Sequence, residues 1–167
     1  MILETAIYLL YPEATNYIDF KIGFDGEKAI ISEWNMENPQ PTNEELNTVW
    51  LEYVKKNKIS ELNSKCKEDI LAGFVSASTG FTFGFDEQDQ DNFNQQAVLL
   101  LMDTTTATVD WGTESHGIQN LTREQFFTII KECEAHKRNI KGKYWTLKAQ
   151  VDLAPNEEQV NVITWNI

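Results

Sequence analysis

The chain has 167 residues, 41% of them hydrophobic, with a formal charge of −12, enough apolar material for one ordinary domain or two small ones. No stretch approaches the roughly 18 uninterrupted apolar residues of a membrane span, and the opening MILETAIYLLYPEA carries Glu4 in place of a basic leader, so a soluble, unsecreted protein with no membrane role is expected. Ten acids oppose five bases over 1–58, ten oppose two over 59–121, and six oppose seven over 122–167; so acidic a middle repels phosphate and argues against nucleic acid as a partner.

In chain order, Ile2 to Tyr11 places Ile2, Leu3, Ala6, Ile7, Leu9 and Leu10 on one helical arc, which Pro12 ends. Tyr17 to Phe24 alternates Ile18, Phe20, Ile22 and Phe24 with polar or small residues, the period of a half-buried strand. Asp25-Gly26 marks a hairpin turn and Lys28 to Trp34 the returning strand. Thr42 and Glu45 form a capping box ahead of Leu46, Val49, Trp50 and Tyr53. Ile59, Leu62, Cys66 and Ile70 keep three-and-four spacing up to Gly73, so this helix runs from Thr42 to about Ala72.

An α+β insert follows. Phe81, Phe83 and Phe85 alternate as a strand, DEQDQDN supplies acids to the first turn of a helix through Gln95 to Met102, and Thr104 to Trp111 and Gly117 to Leu121 read as strands around a Gly112 turn. Thr122 and Gln125 box the start of a second long helix, whose stripe is Phe126, Ile130, Cys133, Ile140, Tyr144, Leu147 and Val151. At about 1.5 Å per residue it is roughly 45 Å long and requires an equally long partner. The expected fold class is therefore α+β: two long antiparallel helices sharing one seam, with Leu62, Cys66 and Ile70 opposed to Ile130, Cys133 and Ile140, an N-terminal β-hairpin and a small α+β insert. Pro155 to Gln159 reads as a turn and Val160 to Trp165 as a closing strand.

Residues capable of chemistry are scattered. Cys66 and Cys133 lie far from any CxxC spacing and on apolar stripes, which favours buried, reduced thiols. Asp86, Glu87, Asp89 and Asp91 lack the ligand order, central glycine and final glutamate of a calcium loop, and helix capping accounts for them better. His136 lies one step off the helix seam and His116 in a polar turn. Neither stands beside a nucleophile at a motif spacing. Trp111 with His116 could form a sugar platform, a reading that ranks below core packing for the tryptophans. No catalytic residue, cofactor or metal site is expected. The candidate protein-binding residues are the basic cluster Lys137, Arg138, Lys141 and Lys143, with Asp86 and Asp89 as the competing acidic surface; a solvated face pairing with the acidic insert is the plainer account of the bases.

Two stretches carry family resemblance. Ala6-Ile7-x-Leu9-x-Tyr11-Pro12, Ile31-x-Glu33-Trp34-Asn35 and Pro39-Gln40-Pro41-Thr42-x-Glu44-Glu45-Leu46 resemble the XkdW family of phage and defective-prophage tail-region proteins. From about Lys65 onward the chain resembles DUF4376, a domain of phage tail fibre and tail fibre assembly proteins. The matching features are Phe81-x-Phe83, the helix entry at Asp86 to Asn92, Trp111 with its polar turn, Leu121-Thr122 before a helix, His136, Tyr144 and Ile163-x-Trp165. The division implied is an XkdW-like 1–58 and a DUF4376-like 59–167. The resemblance implies a non-enzymatic phage or prophage tail protein, either a fibre assembly chaperone in the host cytoplasm or a small fibre or baseplate connector in the virion tail, with a fibre or baseplate protein as partner. Uncovered apolar surface on the long helices would add a homo-oligomer. The alternative is an acidic effector that binds and inhibits a host protein through Asp86 to Asp91.

Overall fold

A computed structural model of the protein describes residues 1–165. Its elements are α1 (Leu3–Leu10), β1 (Phe20–Phe24), β2 (Ala29–Trp34), α2 (Asn43–Leu71), β3 (Phe74–Val75), β4 (Thr82–Phe83), α3 (Glu87–Met102), β5 (Thr108–Thr113), β6 (Gly117–Thr122), α4 (Arg123–Leu153) and α5 (Glu157–Asn161). The mixed α+β class and the N-terminal hairpin are as the sequence patterns require. The chain forms two compact units, one from Met1–Ser60 with Ala149–Thr164, the other from Glu61–Lys148 with Trp165. Both α2 and α4 contribute residues to each unit.

In the first unit, Leu3, Ala6 and Ile7 recur at helical spacing on α1 and are buried with Ala14, Phe20, Leu46 and Trp50. The hairpin β1–β2 is antiparallel, pairing Phe20 with Trp34 and Ile22 with Ile31, with a bulge between Lys21 and Ile22. Its turn is closed by the Asp25 carboxylate, which accepts from the backbone N–H of Glu27 at 3.0 Å and of Lys28 at 2.9 Å, while Gly26 takes φ +102°, a value costly for any residue with a Cβ. The strand begins at Phe20, three residues later than the alternation predicts. Over 15–19 the side chains of Asn16 and Asp19 bond nearby backbone N–H groups, a local geometry that competes with the ladder and leaves Tyr17 at φ 68°. Of the alternating set only Phe20 is fully buried; Ile18 and Phe24 are exposed.

The α2 capping box is present. Thr42 Oγ1 accepts from Glu45 N at 3.2 Å and Glu45 Oε2 accepts from Thr42 N at 2.8 Å; the Thr42 N–H, with the Thr42 hydroxyl also donating to Oε2 at 2.9 Å, holds the Glu45 carboxyl below the usual carboxylate range. Val151, Ala154 and Val160 are also buried. Trp50 donates its indole N–H to Glu157 Oε2 at 2.6 Å, and the Met1 amine approaches the same oxygen at 3.1 Å. The expected closing strand over Val160 to Trp165 does not form: Glu157–Asn161 is helical and residues 162–165 join no ladder. Asn156 accepts from Gln159 N at 2.9 Å, with Glu157 and Glu158 in the first turn, so the Pro-Asn-Glu-Glu sequence starts a helix in place of the expected turn.

The second unit packs around aromatic rings. Phe93 of α3 lies 4.5 Å from Trp111, 5.9 Å from Phe126, 6.0 Å from Phe83 and 6.3 Å from Phe85, centroid to centroid, and the cluster continues through Cys66, Ile70, Phe74, Leu100, Val109, Leu121, Ile129 and Cys133. On α4 the fully buried isoleucine is Ile129; Ile130, placed on the seam by heptad spacing, is half-buried. Complete burial of Phe126 and Ile129 stabilises by about 2–3 kcal/mol each. The Phe81 to Phe85 pattern shortens to a two-residue ladder pairing Phe74 with Phe83. At Gly73, φ is +84° and a Cβ would collide with the Phe83 carbonyl oxygen, so glycine is required at this junction. The β5–β6 turn lies at Glu114 to His116, not at Gly112, which pairs with Ile118 inside the ladder.

Candidate protein-binding surfaces

The four bases singled out on α4 do not form one free patch. Lys137 reaches across to α3 and donates to Gln90 Oε1 at 2.7 Å. Arg138 is exposed and stays within its helix, 3.5 Å from Glu134. Lys141 lies toward Cys66 of α2, where its charge partly offsets the burial that raises the Cys66 thiol. Lys143 sits 4.5 Å above the Trp165 ring, a cation–π contact. Helical spacing brings these residues near one another in angle, but three of the four face different neighbours. Arg138 and Lys141 are the two most open to an outside partner.

Asp86 and Asp89 are occupied with each other's backbone. Asp86 Oδ1 accepts from Asp89 N at 2.8 Å and Asp89 Oδ2 accepts from Asp86 N at 3.2 Å, a reciprocal box at the α3 start. Among the described residues no group of three His, Cys, Asp or Glu side chains could hold a metal ion. His116 packs on Phe81 at 4.8 Å, whereas Trp111 stacks on Phe93, so the two rings considered for a sugar platform serve different neighbours.

Sequence spacing gave no sign of a polar clamp in the second unit. Ser76 is fully buried in the turn between β3 and β4. Its hydroxyl donates to Glu132 Oε2 at 2.5 Å, and Ser78 N donates to Glu132 Oε1 at 2.9 Å. The two residues are 56 positions apart, and only folding brings them together. His136, one turn after Glu132, stacks on Phe74 at 5.6 Å and meets Phe85 edge-on at 5.9 Å. Its Nε2 is buried without a partner. No bond joins it to Glu132 or Ser76 in the manner of a nucleophile–base relay. Cys133, one turn before, has its thiol pushed up to about 12 by burial, which keeps it protonated and inert at neutral pH.

Several concave surfaces lie within single units. A groove of about 640 Å³ in the first unit is lined by Leu3, Ile30, Ile31, Pro41 and Leu46. In the second, an open pocket of about 450 Å³ is bounded by Asp69, Ala72, His136, Ile140 and Lys143, and Asp69 accepts the Trp165 indole N–H at 2.7 Å.

Fold and surface together define a two-unit α+β protein in which Thr42, Glu45, Asp86 and Asp89 cap helices and Glu132 clamps a turn. Residues 53–164 match the family described as domain of unknown function DUF4376, and the chain belongs to that family. Residues 3–58 match the XkdW protein family, so an XkdW-like N-terminal part is joined to a DUF4376 domain. The N-terminal part is 44% identical over 57 residues to the phage-like element PBSX protein XkdW of Bacillus subtilis (strain 168); the match covers 34% of this chain and 51% of that protein. The chain thus spans about half the length of that curated relative. No solved structure matches the chain.

Proposed function

We propose that this chain is a non-enzymatic phage or prophage tail protein, acting as a fibre assembly chaperone or as a small fibre or baseplate connector. The observation that carries the reading is the joining, on one chain, of a segment similar to a phage-like element protein with a DUF4376 domain. Support for an interaction role comes from the use of polar groups: Asp86, Asp89, Thr42 and Glu45 cap helices, and Glu132 clamps a turn. The two locations that follow are the virion tail or the host cytoplasm during assembly.

We further infer that α2 and α4 run antiparallel, the geometry suited to presenting long side-by-side faces to a partner. In support, within the second unit the Lys141 charge acts on Cys66, while Asp69, later on α2, and Ala72, just past its end, share a pocket with His136 and Ile140, earlier on α4. The partner is a fibre or baseplate protein, and the open bases Arg138 and Lys141 are the docking side chains. An Arg138→Glu/Lys141→Glu variant should retain its melting temperature and lose co-purification with the fibre protein encoded beside it, with wild-type binding weakening as salt rises. Quantitative mass spectrometry of purified particles separates the two forms: stoichiometric presence makes it a connector, absence with retained fibre binding a chaperone. Failure to bind any tail protein, with capture of a host protein through the acidic α3 start, would replace this reading by the effector one.

A further inference from the structure

The apolar surface left open in the second unit is concentrated on α3. Val98, Leu99, Leu101 and Met102 are 54%, 58%, 66% and 80% exposed. At 3.6 residues per turn they span an arc of about 160°, while Phe93 and Leu100, both at most 2% exposed, point the opposite way into the core. The exposed fractions together equal about two and a half whole side chains, on the order of 400 Å² and within the range of the largest apolar patch on a monomer. Beside them a shallow groove of about 430 Å³ runs between α3 and β5, lined by Gln95, Gln96, Leu99, Trp111 and Gly112 and flanked by the acids Asp89 and Asp110. A Cβ at Gly112 would meet nothing within 4 Å, so the groove is open there to an entering side chain.

We propose that this face of α3 pairs with the same face of a second copy of the chain, about a two-fold axis near Leu99 to Leu101, the helices antiparallel. Area and charge both select that occupant. Two such patches cover about 800 Å² from four side chains apiece, and the groove walls bring the contact toward the roughly 1,000 Å² of a specific, weak dimer. From Asn92 to Met102 the helix carries no charge; its acids are Asp86 at the cap and Glu87, Asp89 and Asp91 in the opening turns. Antiparallel pairing centred near residue 100 separates the two acidic ends by about 30 Å at 1.5 Å per residue, well beyond the screening length of about 8 Å. Parallel pairing would bring them together. At the rim, Asp103 follows the patch with Arg123 beside it, the guanidinium donating to the Asp103 carbonyl at 3.0 Å, so the Asp103 carboxylate is offset by a cation where the two C-terminal ends approach. In a protein with a formal charge of −12, this uncharged strip is where like meets like with least repulsion. The proposal is independent of the tail assignment.

Sedimentation equilibrium from about 5 to 500 μM tests it. The mass should rise with concentration from 19.2 kDa toward twice that value, with Kd in the tens of micromolar. Leu101→Lys and Met102→Lys should each weaken association at least tenfold with an unchanged far-UV spectrum and melting curve, since both side chains lie in solvent in the monomer. Leu101→Cys should form an oxidised dimer rapidly, and Asp91→Cys should not. A constant monomer mass, association unaffected by both lysines, or preferential cross-linking at Asp91 would each overturn the proposal.

Discussion

Removing the Ser76–Glu132 clamp should destabilise the second unit in a pattern that only a direct bond produces. Ser76 Oγ sits at 0% exposure of its residue, with Glu132 Oε2 at 2.5 Å, Ser78 Oγ at 3.0 Å and Thr79 N at 3.3 Å. Hydrogen bonds to a charged group contribute about 1.5–3 kcal/mol each. Glu132→Ala removes two of them, but the Ser78 N–H can turn to water, so the expected cost is about 2–3 kcal/mol. Ser76→Ala removes one and leaves the carboxylate bound to Ser78, a cost of about 1–2 kcal/mol. Once either partner is gone the second truncation loses less, so the double variant should cost about 2–3 kcal/mol, a coupling of about 1–2 kcal/mol. Urea unfolding followed by circular dichroism gives the stabilities, and hydrogen exchange at Ser78 and Gly80 localises the loss to this turn, where Gly80 N bonds Ser76 O at 2.8 Å. Additivity within about 0.5 kcal/mol would refute the clamp. So would unchanged exchange at Ser78 in Glu132→Ala.

Other outcomes follow from the same packing. With its thiol at about 12, folded Cys133 should react with iodoacetamide at pH 8 at least a thousandfold more slowly than in urea, from the scarcity of thiolate alone; because its folded value is raised, the stability it contributes is complete below the unfolded value near 8.5 and is lost as pH climbs toward about 12. Asp86→Ala opens the α3 capping box and should cost about 1–2 kcal/mol by thermal melting, so lost binding in charge reversals at Asp86 or Asp89 must be checked against lost folding. Ile129→Asp buries a carboxylate at a fully enclosed position and should prevent folding of the second unit, with Ile130→Asp the milder of the two, as read by near-ultraviolet circular dichroism. The bond from Trp50, the Met1 amine assisting, holds the Glu157 carboxyl below its ordinary range; that stabilisation is present above the unfolded value near 4.3 and lost as pH falls through the folded one, and Glu157→Gln should flatten the acid limb of a stability–pH curve.

Local signals account for much of this molecule. The boxes at Thr42–Glu45 and Thr122–Gln125 start α2 and α4 where the hydroxyl and the long side chain stand three residues apart, because capping is settled within one turn. The Asp25-Gly26 turn, the acidic entry to α3 and the family resemblance of both parts were legible for the same reason: each is written in contiguous residues. Competing local chemistry overrides the hydrophobic pattern at two places. Asn156 caps a helix over the turn that Pro155 to Gln159 suggests, and this helix runs into the start of the expected strand, while Asn16 and Asp19 tie up backbone that alternation assigns to β1.

The side chains available to a partner were decided elsewhere. A four-residue repeat puts Lys137 and Lys141 on one helix face, yet Lys137 meets Gln90, 47 positions away, and Lys143 meets Trp165. Ile129 and not Ile130 reached the core because aromatic rings from α3 and β5 determine which side of α4 is covered. Leu100 and Leu101 are adjacent and chemically identical, and one is 1% exposed, the other 66%. The sequence by itself determined where helices begin, which strands form a hairpin and which families the parts resemble, since these depend on bonds spanning a few residues. The clamp, the dispersal of the basic cluster and the open face of α3 came from the tertiary structure alone, since burial and long-range hydrogen bonds depend on what the rest of the chain lays against each side of a helix.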